Sequence, residues 1–202
     1  MTRKPPSYDY RVETPLTQDQ IQRLAARLTQ QVGARVAELR EMRGYTQARV
    51  CREHGFNPSQ LSRVEGGKMN ITLATACRVA AFLDVRPWEI FVPRDESGLA
   101  LRARETMPPA PTAEEIDEAT EAFQRQVGAR VRELRTLQGM SVATFEEFSG
   151  IVQSTLSWIE NGQYNLRAST VVRLADAIGV TPHELYLPRE QSGIRLKSPK
   201  KS

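Results

Sequence analysis

Apolar residues recur at steps of three and four along two long stretches of the chain, which places them on one face of an α-helix. They are Ile21, Leu24, Leu28, Val32, Val36 and Leu39 in the first stretch, and Ile116, Ala119, Phe123, Val127, Val131 and Leu134 in the second. Thr17 and Thr112 stand three residues before Gln20 and Glu115, the spacing of a capping box at a helix start. The pattern therefore predicts two long helices, which end near Gly44 and Gly139.

Each long helix is expected to divide into two parts. At about 1.5 Å per residue it would span roughly 40 Å, more than one small domain needs. We expect the second half to pack in the core of its own domain. The first half projects, and it serves as a coiled-coil or dimer contact or as a simple brace.

A second pattern is an internal repeat with a constant offset of 95 residues. Residues 31–36 recur unchanged as residues 126–131. Over residues 17–102 and 112–197, 31 of 86 positions are identical without a gap. Repetition of this kind indicates duplication of one folded unit.

The repeat and a proline-rich stretch predict the domain boundaries. Residues 107–111 contain three prolines, which favour an extended connection over a helix. The predicted parts are a disordered N-terminal arm at 1–16, a first domain at 17–105, a linker at 106–111, a second domain at 112–196 and a basic tail at 197–202.

The first copy contains a pattern of two short helices joined by a tight turn. Helical spacing over residues 46–54 stops at Gly55, and Asn57 then starts a second pattern that runs to Val64 and stops at Gly66 and Gly67. Asn is a good N-cap, and the first turn of a helix carries free N–H groups and the positive end of the dipole. This second short helix is therefore suited to approach phosphates and base edges.

These residues resemble the Cro and lambda-repressor type of helix-turn-helix, often called the XRE family. The matching positions in the first copy are Leu39, Arg40, Gly44, Thr46, Gln47, Gly55, Ser59, Leu61, Ser62, Glu65 and Gly67. Those in the second copy are Leu134, Arg135, Gly139, Ser141, Gly150, Ser154, Leu156, Ser157, Glu160, Asn161 and Gly162. The resemblance implies an all-α fold of two tandem five-helix lambda-repressor-like domains, each opened here by a long N-terminally extended helix.

The resemblance also implies that exposed side chains of the two short helices touch DNA. Gln47 suits phosphate or adenine, Arg63 suits guanine through two parallel hydrogen bonds, and Pro58 offers an apolar contact to a thymine methyl. The candidate DNA-binding set of the first copy is Thr46, Gln47, Arg49, Arg52, Asn57, Pro58, Ser59, Gln60, Ser62, Arg63 and Lys68. The alternative is that the basic members of this set are ordinary solvated surface charges.

Two further matches imply structure rather than recognition. In the family an ion pair ties the first helix to the end of the third, and the matching residues here are Arg40 with Glu65 and Arg135 with Glu160. Removing one partner of such a pair costs roughly 3 to 5 kcal/mol if the pair is buried.

The second copy departs from the DNA-reading pattern. Val142 replaces Gln47, Trp158 replaces Arg63, and residues 141–165 hold three Glu and no Lys or Arg, whereas residues 46–70 hold four basic residues and two Glu. Glu146 stands where the family has a small residue at a helix crossing, so either the crossing is altered or Glu146 turns outward. The remaining candidates for base contact are Gln153, Ser154, Thr155, Ser157 and Trp158. Trp158 could instead anchor a protein partner, because Trp is favoured at interfaces.

Charge and composition narrow the function. Residues 1–110 carry 17 Lys and Arg against 12 Asp and Glu, and residues 111–202 carry 11 against 12, so only the first half suits a polyanion. Two cysteines, two distant histidines and the lack of a catalytic motif argue against an enzyme, a metal or any other cofactor. No apolar run approaches the roughly 20 residues that cross a bilayer. We expect a cytoplasmic, nucleoid-associated protein.

The leading hypothesis is a transcriptional regulator that binds double-stranded DNA with the first copy, as a homodimer on a pseudo-palindrome. The competing hypothesis is a protein-interaction adaptor or antitoxin-like module in which the second domain binds a protein partner. The sequence leaves open whether the two copies pair within one chain or the chain dimerises.

Overall fold

The chain folds into α-helices joined by short turns in the computed structural model, which describes residues 15–97, 99 and 101–192. The first copy contains α1 (Gln18–Met42), α2 (Gln47–His54), α3 (Pro58–Glu65), α4 (Leu73–Leu83) and the single-turn α5 (Arg94–Ser97). The second contains α6 (Ala113–Leu137), α7 (Val142–Ser149), α8 (Gln153–Glu160) and α9 (Ala168–Ile178). Short 3-10 helices occupy Pro87–Ile90, Pro182–Leu185 and Arg189–Gln191. Within these described residues there is no strand, and the all-α prediction is confirmed.

The boundaries differ from the expected pattern in detail. The long helices, the two short helices and α4 or α9 recur in both copies, and a 3-10 helix follows them in each. The first copy then adds the single-turn α5, and the second adds another 3-10 helix, so a fifth α-helix in each domain stays a prediction. Nearly all of the arm predicted at residues 1–16, and all of the tail at residues 197–202, lie outside the described residues.

The helices begin at the capping residues that the sequence predicts. The hydroxyl of Thr17 accepts from the backbone N–H of Gln20, and the Gln20 side chain accepts from the Thr17 N–H at 2.8 Å. Thr112 and Glu115 form the same capping box at the start of α6. At α3, Oδ1 of Asn57 accepts from two backbone N–H groups. Each cap satisfies donors that the first helical turn leaves without partners.

A glycine in each long helix permits a close helix crossing. A Cβ atom at Gly33 would collide with the carbonyl oxygen of Val64 and would lie 2.8 Å from the backbone nitrogen of Gly67. The equivalent Gly128 meets the carbonyl oxygen of Ile159 in the same way. Both glycines belong to the six-residue segment that recurs unchanged. The close crossing excludes any side chain at this position, which explains why glycine stands there in both copies.

The two copies interlock through their long helices. α1 packs against α9 of the other copy, and α6 packs in return against α4. Ile21, near the start of α1, is only 5% exposed. Arg173 of α9 donates from Nη2 to Oε1 of Gln18 at 2.9 Å, and the backbone N–H of Ala168 donates to Oδ1 of Asn70 at 3.1 Å. The first half of α1 was expected to project, but in the structure it packs against the second copy.

Equivalent residues of the repeat meet where the copies join. The rings of Phe91 and Tyr186, which are 95 positions apart, stack with centroids 3.9 Å apart and an interplanar angle of 12°. Phe123 of α6 lies 6.2 Å from each of these rings. Equivalent residues contact each other in this manner on the twofold axis of a homodimer. Phe91 and Tyr186 thus place equivalent positions of the two copies in direct contact.

The described part of the chain contains no helix that is both long and apolar enough to cross a membrane. In the same residues, no three His, Cys, Asp or Glu side chains converge into a group that could hold a metal ion.

Candidate nucleic-acid interface

The α3 helix divides into a buried side and an exposed side. Leu61 and Val64 are buried in the domain core, and they fix the orientation of the helix. Ser59, Ser62 and Arg63 point away from this core and are exposed. We call these three residues the α3 face. The arrangement has the polarity that a helix in a DNA groove needs, with packing on one side and polar groups on the other.

The other candidates of α3 lie around this face. Pro58 occupies the first helical position and is exposed, as is Asn57, while Gln60 is half-buried. Oδ1 of Asn57 is engaged by the N–H groups of Ser59 and Gln60, at 2.9 and 3.3 Å. Asn57 therefore acts first as a helix cap, and its NH₂ group is the part that could still meet DNA.

A bidentate ion pair holds the end of α3 against α1. Arg40 donates from Nε and Nη2 to the two carboxylate oxygens of Glu65, at 2.7 and 2.9 Å. Its Nη1 also donates to the carbonyl oxygen of Tyr45 at 2.6 Å. The hydrogen bond to Glu65 raises the pKa of Arg40 above its ordinary value. Because both side chains are largely buried, the pair serves the position of α3 rather than contact with a ligand.

Gln47 is committed to the same carboxylate. Its Nε2 donates to Oε2 of Glu65 at 2.7 Å, so the side chain joins the ion pair and is half-buried. Sequence reasoning assigned Gln47 to phosphate or adenine, and in this structure its amide nitrogen is engaged by protein. Its Oε1 is the group that remains for such a contact.

Arg49 is held against the residue that precedes the predicted linker. Its Nη2 donates to the carbonyl oxygen of Glu105 at 2.7 Å, and its Nε donates to Glu53 at 3.0 Å. The guanidinium also lies 5.1 Å from the ring centroid of Tyr45, whose hydroxyl donates to the carbonyl of Thr106 at 3.0 Å. To reach a phosphate, Arg49 would have to leave these partners.

Other candidates of the first copy extend into solvent. The side chain of Arg52 is 72% exposed and contacts Glu53 at its edge. Lys68 is exposed directly after α3. Thr46 is exposed too, and its hydroxyl caps α2 by accepting from the N–H of Arg49 at 3.2 Å. Arg52 and Lys68 are thus the better placed of the predicted phosphate ligands.

The matching helix of the second copy, α8, presents a different surface. Gln153, Ser154 and Ser157 are exposed and Thr155 is half-buried. Trp158 is 53% exposed and Val152, at the N-cap position, is 52% exposed. Val152 supplies no side-chain cap to the first turn of α8. Compared with the α3 face, this surface exchanges a cation for a large apolar side chain.

The buried ion pair recurs in the second copy with a different third partner. Arg135 donates to both oxygens of Glu160 at 2.6 and 3.0 Å. Arg132 of α6 adds a bond from Nε to Oε2 of Glu160 at 3.1 Å. In the first copy the position of Arg132 holds Ala37, and Gln47 approaches the carboxylate instead. Sequence reasoning did not find Arg132, although it is the single difference between residues 31–40 and 126–135.

Glu146 lies on α7, which contacts α8 as α2 contacts α3. Its side chain is half-buried, as is that of its counterpart Cys51, so Glu146 does not turn fully outward.

Comparison with known proteins gives two findings of similarity. A family model described as a helix-turn-helix domain matches this chain twice, at residues 31–89 and 126–186, which together exceed half of its length. A protein of Sinorhizobium fredii named as an uncharacterized HTH-type transcriptional regulator is 37% identical over 71 residues, which are 35% of this chain and 92% of that protein. No solved structure matches the chain.

Proposed function

This chain belongs to the helix-turn-helix domain family, and from that premise we propose that it is a sequence-specific transcriptional regulator of double-stranded DNA. It reads the major groove mainly with α3 of the first domain. The observation that carries this proposal is the α3 face, where Ser59, Ser62 and Arg63 stand exposed on a helix whose opposite side is buried.

Charge supports the choice of the first domain. Arg52, Arg63 and Lys68 are exposed around α2 and α3, and each can neutralise a phosphate or contact a base. The matching positions of the second domain hold Glu147, Trp158 and Gln163. The long-range attraction to DNA is therefore concentrated on one of the two domains.

The test is selection of bound sequences from a random duplex library by the full-length chain, followed by affinity measurements on the enriched site. Because the domains interlock through α1 with α9 and α4 with α6, the separate halves are unsuitable reagents. We expect an enriched sequence. Arg63→Lys should then lose discrimination at one base pair by about 1 to 3 kcal/mol, because lysine keeps the charge but lacks the planar fork that recognises guanine.

Arg52→Lys is the matched control for that substitution. A phosphate contact depends on charge more than on a fork, so Arg52→Lys should bind the enriched site with the same base preference as the original chain. If the full-length chain enriched no sequence, or if Arg63→Lys kept the full preference, α3 would not be the reading helix.

The stoichiometry on DNA is a separate part of the proposal. A homodimer on a pseudo-palindrome is what the family resemblance implies, and it stays a prediction. The stacking of Phe91 on Tyr186 supports another arrangement, in which one chain already supplies a paired set of domains. The mass of the complex with the selected site would count the chains: two support the homodimer, and one supports the intrachain pair.

A second candidate function is favoured by the surface of α8. Trp158 and Val152 are each more than half exposed, and such apolar side chains are suited to a protein interface. In this alternative the chain is a protein-interaction adaptor or antitoxin-like module, and the second domain binds the partner. It predicts that the full-length chain selects no duplex sequence.

A further inference from the structure

A cavity of about 260 Å³ lies where α2, α4 and the start of α6 meet. The first domain lines it with His54, Phe56 and Arg78. The linker and α6 line it with Pro111, Thr112, Ala113, Ile116 and Asp117. The lining thus combines apolar side chains with the guanidinium of Arg78 and the carboxylate of Asp117. None of the lining residues belongs to the α3 face.

In the other half of the molecule a glutamine contacts the equivalent arginine. Arg173 is the counterpart of Arg78, and its Nη2 donates to Oε1 of Gln18 at 2.9 Å. Gln18 is the first residue of α1, and the first residue of α6 is Ala113. The side chain of Ala113 is a methyl group and cannot accept a hydrogen bond from the guanidinium of Arg78.

The isoleucines that follow these two helix starts also differ in burial. Ile21, beside Gln18, is 5% exposed, while the equivalent Ile116 is only half-buried and lines the cavity. The duplication thus provides an internal comparison: the first side chain of α1 contacts the equivalent arginine, Arg173, while the first side chain of α6 is the methyl group of Ala113.

We propose that this cavity is a binding site for a small organic monocarboxylate with an apolar body. The carboxylate takes the place before Arg78 that the amide oxygen of Gln18 takes before Arg173. Arg78 is fixed for this role, because its guanidinium lies 4.2 Å from the ring centroid of Phe56 and donates at 3.3 Å to the carbonyl of Gly55. These contacts hold the cation at the wall of the cavity.

The rest of the lining sets the class of ligand. Phe56, Ile116 and Pro111 offer an apolar surface for the body of the molecule. Asp117 contributes a negative charge, so the site carries one cation and one anion. This balance favours a single carboxylate and opposes a dianion such as a dicarboxylate or phosphate.

The test is titration of the full-length chain with benzoate, followed through the backbone amide NMR signals of Ala113 and Ile116. Benzoate should cause saturable shifts of both signals. Benzamide, which lacks the charge, should bind about tenfold or more weakly. Phthalate and inorganic phosphate should leave the two signals unchanged.

Ala113→Gln is the decisive variant, because it places at α6 the side chain that accepts from the equivalent arginine, Arg173. It should weaken benzoate binding at least about tenfold. Gln18→Ala is the matched control at the first position of α1, and it should leave binding at Ala113 and Ile116 unchanged. The proposal is overturned if benzoate causes no saturable shift in the original chain, or if Ala113→Gln binds it equally well. Neither readout involves DNA, so the result is independent of the proposed regulatory function.

Discussion

The two helix-turn-helix domains agree in their interior and differ on their reading helices. In both, a bidentate arginine and glutamate pair joins the first helix to the third, as Arg40 with Glu65 and as Arg135 with Glu160. On the surface, the position of the exposed Arg63 is taken by the exposed Trp158. Duplication has preserved the groups that hold the helices, while the groups that would meet a partner have diverged. A shared fold therefore does not imply that the two domains share a function.

The two domains differ in the residue that donates the third hydrogen bond to the buried glutamate. The buried carboxylate of Glu65 takes its third bond from Gln47 on α2, and that of Glu160 takes it from Arg132 on α6. In the first domain, Gln47 ties the first residue of α2 to the glutamate at the end of α3. In the second domain, Val142 at the start of α7 cannot make this hydrogen bond, and Arg132 of the long helix α6 donates to the glutamate instead.

The largest expected effect concerns the shared interior. Glu65→Ala and Glu160→Ala should each lower the free energy of unfolding of the full-length chain by about 3 to 5 kcal/mol. Each substitution leaves a largely buried guanidinium without its carboxylate. Urea unfolding of the two variants measures the loss.

Glu118→Ala is the control for that pair of variants. Glu118 is exposed on α6, and its removal should change the free energy of unfolding by no more than about 0.5 kcal/mol. The view that both domains rest on the same ion pair would be wrong if one of the two glutamate variants behaved like this control.

A smaller effect is expected for the third partners. Gln47→Val copies the second domain into the first, and it should cost about 1.5 to 3 kcal/mol by removing a hydrogen bond to a charged group. Adding Ala37→Arg should recover part of this loss, because arginine at the equivalent position reaches Glu160. Urea unfolding of the single and double variants provides the comparison.

Arg132→Ala removes the corresponding third partner in the second domain. Its side chain is 52% exposed, so solvent screens the bond and its removal should cost at most about 1 kcal/mol. If Arg132→Ala lowered the free energy of unfolding more than Gln47→Val, the stronger third hydrogen bond would belong to the second domain, contrary to this expectation.

Features that depend on near neighbours in sequence were predictable. Thr17, Thr112 and Asn57 cap helices as their spacing indicated, because capping partners lie two or three residues away. The long helices and their glycine ends followed from apolar periodicity. The constant offset of the repeat revealed the duplication, which the family match at both segments confirms.

Features that depend on distant contacts were not predictable. The apolar stripe of α1 gave its first half a face for packing, but the sequence analysis expected that half to project, because periodicity carries no information on the element that covers it, which is α9. Arg49 is engaged by the carbonyl of Glu105, 56 residues away, and the path of a proline-rich linker leaves no periodic signal. The exchange of Ala37 for Arg132 was a visible signal, since it interrupts an otherwise identical segment of ten residues.

The most direct test of the difference between the domains is the free energy of binding of full-length Arg63→Ala and Trp158→Ala to the selected DNA site and to the same site with one base pair changed. Arg63→Ala should lose about 1 to 3 kcal/mol of discrimination between the two sites, while Trp158→Ala should keep the discrimination of the original chain. Equal discrimination by the original chain and Arg63→Ala, together with a loss in Trp158→Ala, would contradict this difference between the domains, because α8 would then be the reading helix.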